Sequence, residues 1–465
     1  MSNYIRIFVV VVVFQLVGCS SSDEGDYVEL KAEEGEQFSG GALTVFNTSE
    51  EAFGFSAANL SLDEETDFGI GNSFFRQNWV SAPSSTTARD GIGPYFNAIS
   101  CSSCHFKDGR GRTPLFDGET GHGLLLRLSI PGVDANGASL PDPIYGGQLQ
   151  DNAILGQTTQ GVYTITNEAI QETFADGTVV TLQKPTYHIG NLGFGALATN
   201  LQVSPRIANQ VIGLGLLEAV PEATILGFIA QNNKNGISGK ANYVYDATSK
   251  SQKLGRFGWK ANQPSIRQQA AGAFSGDMGI TTSIFPYENI PAGVNGSLIP
   301  NGGDPEISDD NFEKVVFYSS TLSVPARRNY TDKSVLEGKK NFETIGCTSC
   351  HIPKMTTGST HSIAVLRNQV IRPYTDMLLH DMGDELADNT PDFLATGKEW
   401  RTPPLWGIGL INTVNKHTNL LHDGRAKNVE EAILWHGGEA EIAKNEYKKL
   451  KKEQRNAILE FINSL

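Results

Sequence analysis

Apolar and polar positions follow three rhythms along the chain. After Arg6 comes an unbroken apolar run, Ile7 to Phe14, closed by Leu16, Val17, Gly18 and Cys19. Between Ser334 and Cys347 the rhythm is helical. Val335, Phe342 and Ile345 share a face, and Gly338 permits another helix to approach closely. From Gly161 to Ile189 the pattern turns β-rich. Val162, Thr164 and Thr166, then Val179 to Leu182 and Tyr187, flank the turn dipeptide Asp176-Gly177, which predicts a small β insertion. Phe74, Phe75 and Trp79 predict a short helix, and Ser308 to Asp310 a helix start. Ser283 to Pro305, rich in Pro, Gly and Asn, reads as a linker. The C-terminus predicts two helices. Asn428 caps one that runs to His436. The other spans Ile442 to Ile462 and buries Tyr447, Leu450, Ile458, Phe461 and Ile462. Lys448 to Lys452 reads as the solvated face of that helix.

The apolar run is too short for a membrane span and suits a secretory leader. Leu16 to Cys19 resembles a bacterial lipobox, which implies cleavage before Cys19 and lipid on that residue. On this reading residues 1–18 are a signal peptide and 19–40 a flexible acidic tether. The folded part is expected outside the cytoplasm, as a lipoprotein anchored on the periplasmic or surface side of a Gram-negative outer membrane. Composition narrows the classes further. Charged residues at 19% and hydrophobics at 39% are ordinary for a folded chain of 465 residues. A net charge of -14 argues against a nucleic-acid partner.

Four of the five cysteines fall into two copies of one pattern, Cys101-Ser-Ser-Cys104-His105 and Cys347-Thr-Ser-Cys350-His351. Two thiols one helical turn apart can add to the two vinyl groups of one haem. The adjacent His can then ligate its iron. Zinc would want a fourth ligand, and a redox dithiol has no use for His in both copies. The pattern therefore predicts two covalently bound c-type haems, on Cys101, Cys104 and His105 and on Cys347, Cys350 and His351.

With these motifs the chain resembles the bacterial di-haem cytochrome c peroxidase superfamily, which includes the methylamine-utilisation di-haem enzyme. It is most similar to the di-haem oxidoreductase or "thiol oxidoreductase" branch. The resemblance runs from about Asp67 to the end. It is carried by Gly93 to Arg112, Tyr145-Gly-Gly-Gln-Leu149, Gly255 to Ala261, Tyr374 to Gly383, Glu399 to Pro404, and His422 to Gly438. It implies a mainly α fold of two cytochrome c-like haem domains with long loops. Residues 41–300 would hold the peroxidatic haem and the β insertion, and 308–465 the electron-transfer haem.

The resemblance also implies roles. The family sets a tryptophan between the haems, a glutamine ten residues later, and an acid followed by Met-Gly over the peroxidatic haem. Here these are Trp259, Gln269 and Asp277, the acid being Asp where the family has Glu. The distal ligand of the second haem lies fourteen residues beyond His422, at His436, so that His351 and His436 form a bis-His pair and His422 supports them from behind. Met377, His380 and Met382 compete for that position. His122 suits the releasable distal ligand of the first haem. The family also carries a calcium ion between the modules. The implied activity is reduction of hydrogen peroxide at the first haem, with electrons relayed through the second from an external donor such as a small cytochrome or cupredoxin. Two alternatives stay open: oxidation of a larger organic or protein substrate, and a non-catalytic surface electron carrier.

Overall fold

A computed structural model describes residues 30–232 and 237–465. The signal peptide, Cys19 and the first part of the tether lie outside the described residues. No helix among the described residues is long and apolar enough to cross a membrane.

Two helix pairs organise the molecule, one beside each Cys-x-x-Cys-His motif. In the first, Leu62–Arg76 packs on Asp309–Thr321. Ser61 and Glu64 close a capping box at its start, satisfying two backbone donors reciprocally. In the second pair, Lys333–Thr344 packs on Lys452–Ser464. Each pair crosses at a glycine. A Cβ on Gly71 would lie 2.1 Å from the Lys314 carbonyl oxygen, and one on Gly338 1.9 Å from that of Ala457. Each pair also presents one phenylalanine to its motif. The Phe75 and His105 rings are 6.1 Å apart, as are those of Phe342 and His351. The two motifs thus sit in closely similar local frames.

The fold is nevertheless not mainly α, and the expectation of two cytochrome c-like domains is overturned. Helix makes up 30% and strand 19%. The strands among the described residues form six two-stranded sheets and one three-stranded sheet. The largest missing piece is Leu124–Val133, which pairs antiparallel with Gln202–Ile207 and Ser139–Leu140. Leu124, Leu126 and Leu128 point inward, the period-2 alternation of a half-buried strand. Tyr243–Asp246 and Ser251–Leu254 add another hairpin. The helices also differ in extent from their apolar patterns: the short helix expected at Phe74 to Trp79 is the end of the longer Leu62–Arg76, with Trp79 beyond it. Ile442 to Ile462 is two helices, Glu441–Lys449 and Lys452–Ser464, broken where Leu450 and Lys451 turn extended. The break is stable because Arg455 Nη1 donates to the Leu450 carbonyl (2.8 Å) and the Lys451 N–H donates to Gln454 Oε1 (3.1 Å).

The predicted hairpin is present, as Val162–Thr173 and Val179–Gly190 turning at Asp176-Gly177. Its tip lies on the C-terminal helices. The Arg455 guanidinium stacks 3.9 Å over Phe174 and bonds Asp176, and Lys448 reaches Glu172. The helix starts at Ser308 and Asn428 are found, each capped by that side chain. Near the N-terminus, Glu36 is buried and pairs with Arg327 and Lys339, while Thr44–Val45 lies parallel to Val324–Pro325.

Candidate functional site

None of the four motif cysteines is in a disulfide, and burial pushes all four thiols up, Cys101 and Cys347 to about 12.

At each motif the histidine is fixed by a backbone carbonyl. His105 Nδ1 donates to Asn209 O at 2.6 Å and His351 Nδ1 to Tyr374 O at 2.9 Å. A carbonyl can only accept, so Nδ1 carries the proton and Nε2 keeps its lone pair, the arrangement a metal-binding imidazole needs. Burial keeps both rings neutral, His351 down at about 4.

His351 faces a cavity of about 450 Å³. Cys347, Cys350, Trp259 and Trp400 line it, and so does His436. His436 Nδ1 donates to Ala432 O at 2.6 Å, which leaves its Nε2 free as well. Two imidazoles with free Nε2 thus border one apolar cavity beside two thiols. That donor set fits a six-coordinate haem. Of the competing residues, Met382 borders the cavity, while Met377 is packed in a separate core cluster. His380 also borders it, but its nitrogens meet Asp376 and Glu439, each at 2.8 Å, and burial is overcome to push it up to about 12. Cys350, Asp376 and His380 lie within 4.8 Å of one another, yet an imidazolium has no lone pair for a metal. His422 lines the cavity, stacked on Trp400 at 3.8 Å, and burial lowers it to about 4.

Around the first motif the arrangement differs. Asp277 ends the helix Ile266–Met278, and its charge acts on Cys101, Cys104 and His105. Burial raises its carboxyl above the ordinary range, against the attraction of Arg127 and a hydrogen bond from Gln148. Gln148 Nε2 donates to Asp277 Oδ1 (2.9 Å) and Asn97 Oδ1 (2.7 Å). With Oδ1 accepting, a proton on Asp277 belongs on Oδ2. The buried Gln148 Oε1 has no hydrogen-bond partner. It borders a second cavity, about 340 Å³, together with Arg127, Tyr145, Gln150 and Glu288. The glutamine at Asp277 is therefore Gln148. Gln269 lies eight residues before Asp277 on the same helix, about 12 Å along its axis. The Tyr145 to Leu149 segment held this signal, unread because spacing along the chain was followed instead.

His122 is engaged at both nitrogens. Nδ1 accepts from the Leu124 N–H (3.1 Å), and Nε2 lies 3.1 Å from the Tyr163 hydroxyl, which itself donates to Leu124 O. The tautomer these bonds require puts the proton on Nε2.

Trp259 lies at the second site. Its Nε1 donates to Ile207 O (2.8 Å), and its ring borders the larger cavity. Ile207 to Gln210 touches both sides: Asn209 O holds His105, and Gln210 lines the cavity of His351.

This geometry defines a protein with two equivalent haem-type motifs, one opening on a two-imidazole cavity and one beside a buried carboxyl group. The chain belongs to the family described as "Di-haem oxidoreductase, putative peroxidase", whose model matches residues 34–465. It is thus an oxidoreductase of a haem-containing family. No curated protein matches it. Among solved structures, hydrazine synthase of Kuenenia stuttgartiensis, pressurized with xenon, is similar at 14% identity over 85% of this chain and 92% of that one, with a TM-score of 0.32.

Proposed function

We propose that the protein reduces hydrogen peroxide at a haem on the first motif, with electrons delivered through a haem on the second. Both would be attached covalently, through Cys101 and Cys104 and through Cys347 and Cys350. The overall change is H2O2 plus two electrons and two protons to two waters, the electrons coming from an external small redox protein. The leader ending at Cys19 supports an exported, lipid-anchored enzyme.

The asymmetry of the two sites carries this reading. His351 and His436 would saturate the second iron, which suits electron transfer. At the first motif His105 is offered, and beside it stands Asp277, a carboxyl group whose affinity for a proton burial raises. A bound haem would supply the iron that takes the peroxide. The side chains do the rest. As the carboxylate, Asp277 accepts at Oδ2 the proton of the oxygen nearer the iron and then returns it from Oδ2 to the departing one, general acid–base catalysis of O–O cleavage. Gln148 holds Oδ1, so that Oδ2 is the exchanging atom. His122 stays out of the step, because iron binding would cost it both hydrogen bonds. Trp259 lies on the path between the sites. A substrate larger than peroxide remains the second reading, supported by the cavity of about 340 Å³ beside Gln148.

Asp277→Asn keeps the shape and removes the proton relay. Turnover with peroxide should fall by about 10²-fold or more, with both haems bound. Unchanged turnover would remove Asp277 from the mechanism.

A further inference from the structure

The larger cavity carries an excess of positive charge that its own residues do not neutralise. Most basic groups around it are paired: His380 with Asp376 and Glu439, Arg425 with Asp423, Lys260 with Asp388. Arg110 and Arg401 differ. Each is 5% exposed and lines the cavity. Arg110 donates to the carbonyls of Asn419 (3.0 Å) and Leu421 (2.8 Å), and more weakly to the side-chain oxygens of Asn209 (3.4 Å) and Gln210 (3.5 Å). Arg401 donates to the carbonyls of Gly258 (2.8 Å) and Thr402 (3.3 Å), and the charge of Asp376 acts on it as well. Every one of these hydrogen-bond acceptors is neutral. Burial lowers both guanidinium groups to about 10. A buried cation facing only dipoles is costly unless an anion joins it.

Both guanidinium groups lie beside the Gly258-Trp259 segment: that of Arg110 is 5.1 Å over the Trp259 ring, and Arg401 Nε donates to the Gly258 carbonyl at 2.8 Å. Two buried guanidinium groups whose hydrogen bonds all end on neutral oxygens favour anions beside them. A haem carries two carboxylates on one edge, and guanidinium forks match carboxylates well. We propose that Arg110 and Arg401 form a clamp for the two propionates of the second haem and so fix its carboxylate edge at Trp259, facing the first site. This rests on the reading that His351 and His436 hold a haem. Arg110 and Arg401 are positioning residues: they orient the group and set its electrostatics.

The test is a spectroelectrochemical titration of the two-haem holoprotein from about pH 5 to pH 9, a window clear of the ordinary carboxylate range. Arg110→Met, Arg401→Met and Arg110→Lys are compared with wild type. The other titratable groups that line the cavity, apart from the cysteines and histidines taken to hold the haem, are His380, His422, Glu439 and Lys444, with Asp376 bonded to His380. Of these, His380 is displaced to about 12, Glu439 to about 2 and His422 to about 4. In wild type the clamped carboxylates stay ionised, so the second midpoint potential should be flat with pH. Both Met variants should acquire a pH-dependent potential that drops below wild type as pH rises. Arg110→Lys should stay close to wild type. Met variants with both haems, an unchanged two-imidazole spectrum and a wild-type profile would overturn the clamp. Should the Met variants not fold, the wild-type titration is carried down to about pH 4, across the ordinary carboxylate range: a flat line there supports the clamp and an inflection overturns it. A preparation with one haem would overturn the second-haem reading too, and the haem count shows this before any titration.

Discussion

At the scale of single residues, the two motif histidines and His436 are prepared by hydrogen bonds that sequence spacing does not reveal. Each donates Nδ1–H to a backbone carbonyl, of Asn209, Tyr374 or Ala432. The residue types and the position of His436 were legible. The carbonyls were not, because any residue can supply one. His436→Ala should therefore change the visible spectrum of one haem and leave the other; an unaltered spectrum would send the assignment to Met382. His380 shows the reverse case. In the sequence it is one candidate ligand among three, yet the fold wedges it between two carboxylates. Its folded value, about 12, lies above the ordinary value near 6.5. Its stabilising contribution is therefore full below about pH 6.5 and declines as pH rises towards 12. His380→Gln should accordingly lower the melting temperature more at about pH 6 than at about pH 9. An equal loss at both would mean that the charge is not what His380 contributes.

At the scale of elements, glycines decide where helices meet. Gly338 was legible as a point of close approach because it interrupts an apolar face; its partner, the Ala457 backbone, lies too far along the chain to be read. Gly69 and Gly71 make an internal contrast. Nothing lies within 4 Å of a Cβ on Gly69, whereas one on Gly71 would strike Lys314 and Tyr318. Gly71→Ala should destabilise by about 1–3 kcal/mol through forced separation of the helices. Gly69→Ala should stabilise by about 0.5–1 kcal/mol, by restricting the unfolded chain. Chemical denaturation of the two variants checks both signs. The Leu124–Val133 strand was missed although its alternation is plain, because its neighbours Gln202–Ile207 are remote in sequence and carry no apolar rhythm of their own. The hairpin was found because its two strands and turn are contiguous. That its tip clasps the C-terminal helices could not be read, since Asp176 and Arg455 are 279 residues apart.

At the scale of the whole molecule, the chain brings two like motifs into unlike surroundings. Helix pairs crossing at Gly71 and Gly338 give each motif the same phenylalanine and the same carbonyl-bound histidine. The difference comes from what is built around them: a two-histidine cavity at Cys347 and Cys350, and Asp277 with Gln148 near Cys101 and Cys104. The stretch Ile207 to Gln210 joins the two. The central claim is that one site transfers electrons while the other meets peroxide. Stopped-flow visible spectroscopy tests this most directly, with the half-reduced soluble protein lacking residues 1–19 mixed with hydrogen peroxide. Rapid oxidation should be seen, with the spectral change of the reacting haem assigned to the first motif and slowed in Asp277→Asn. Both haems six-coordinate and inert to peroxide would contradict the account and leave an electron carrier in its place.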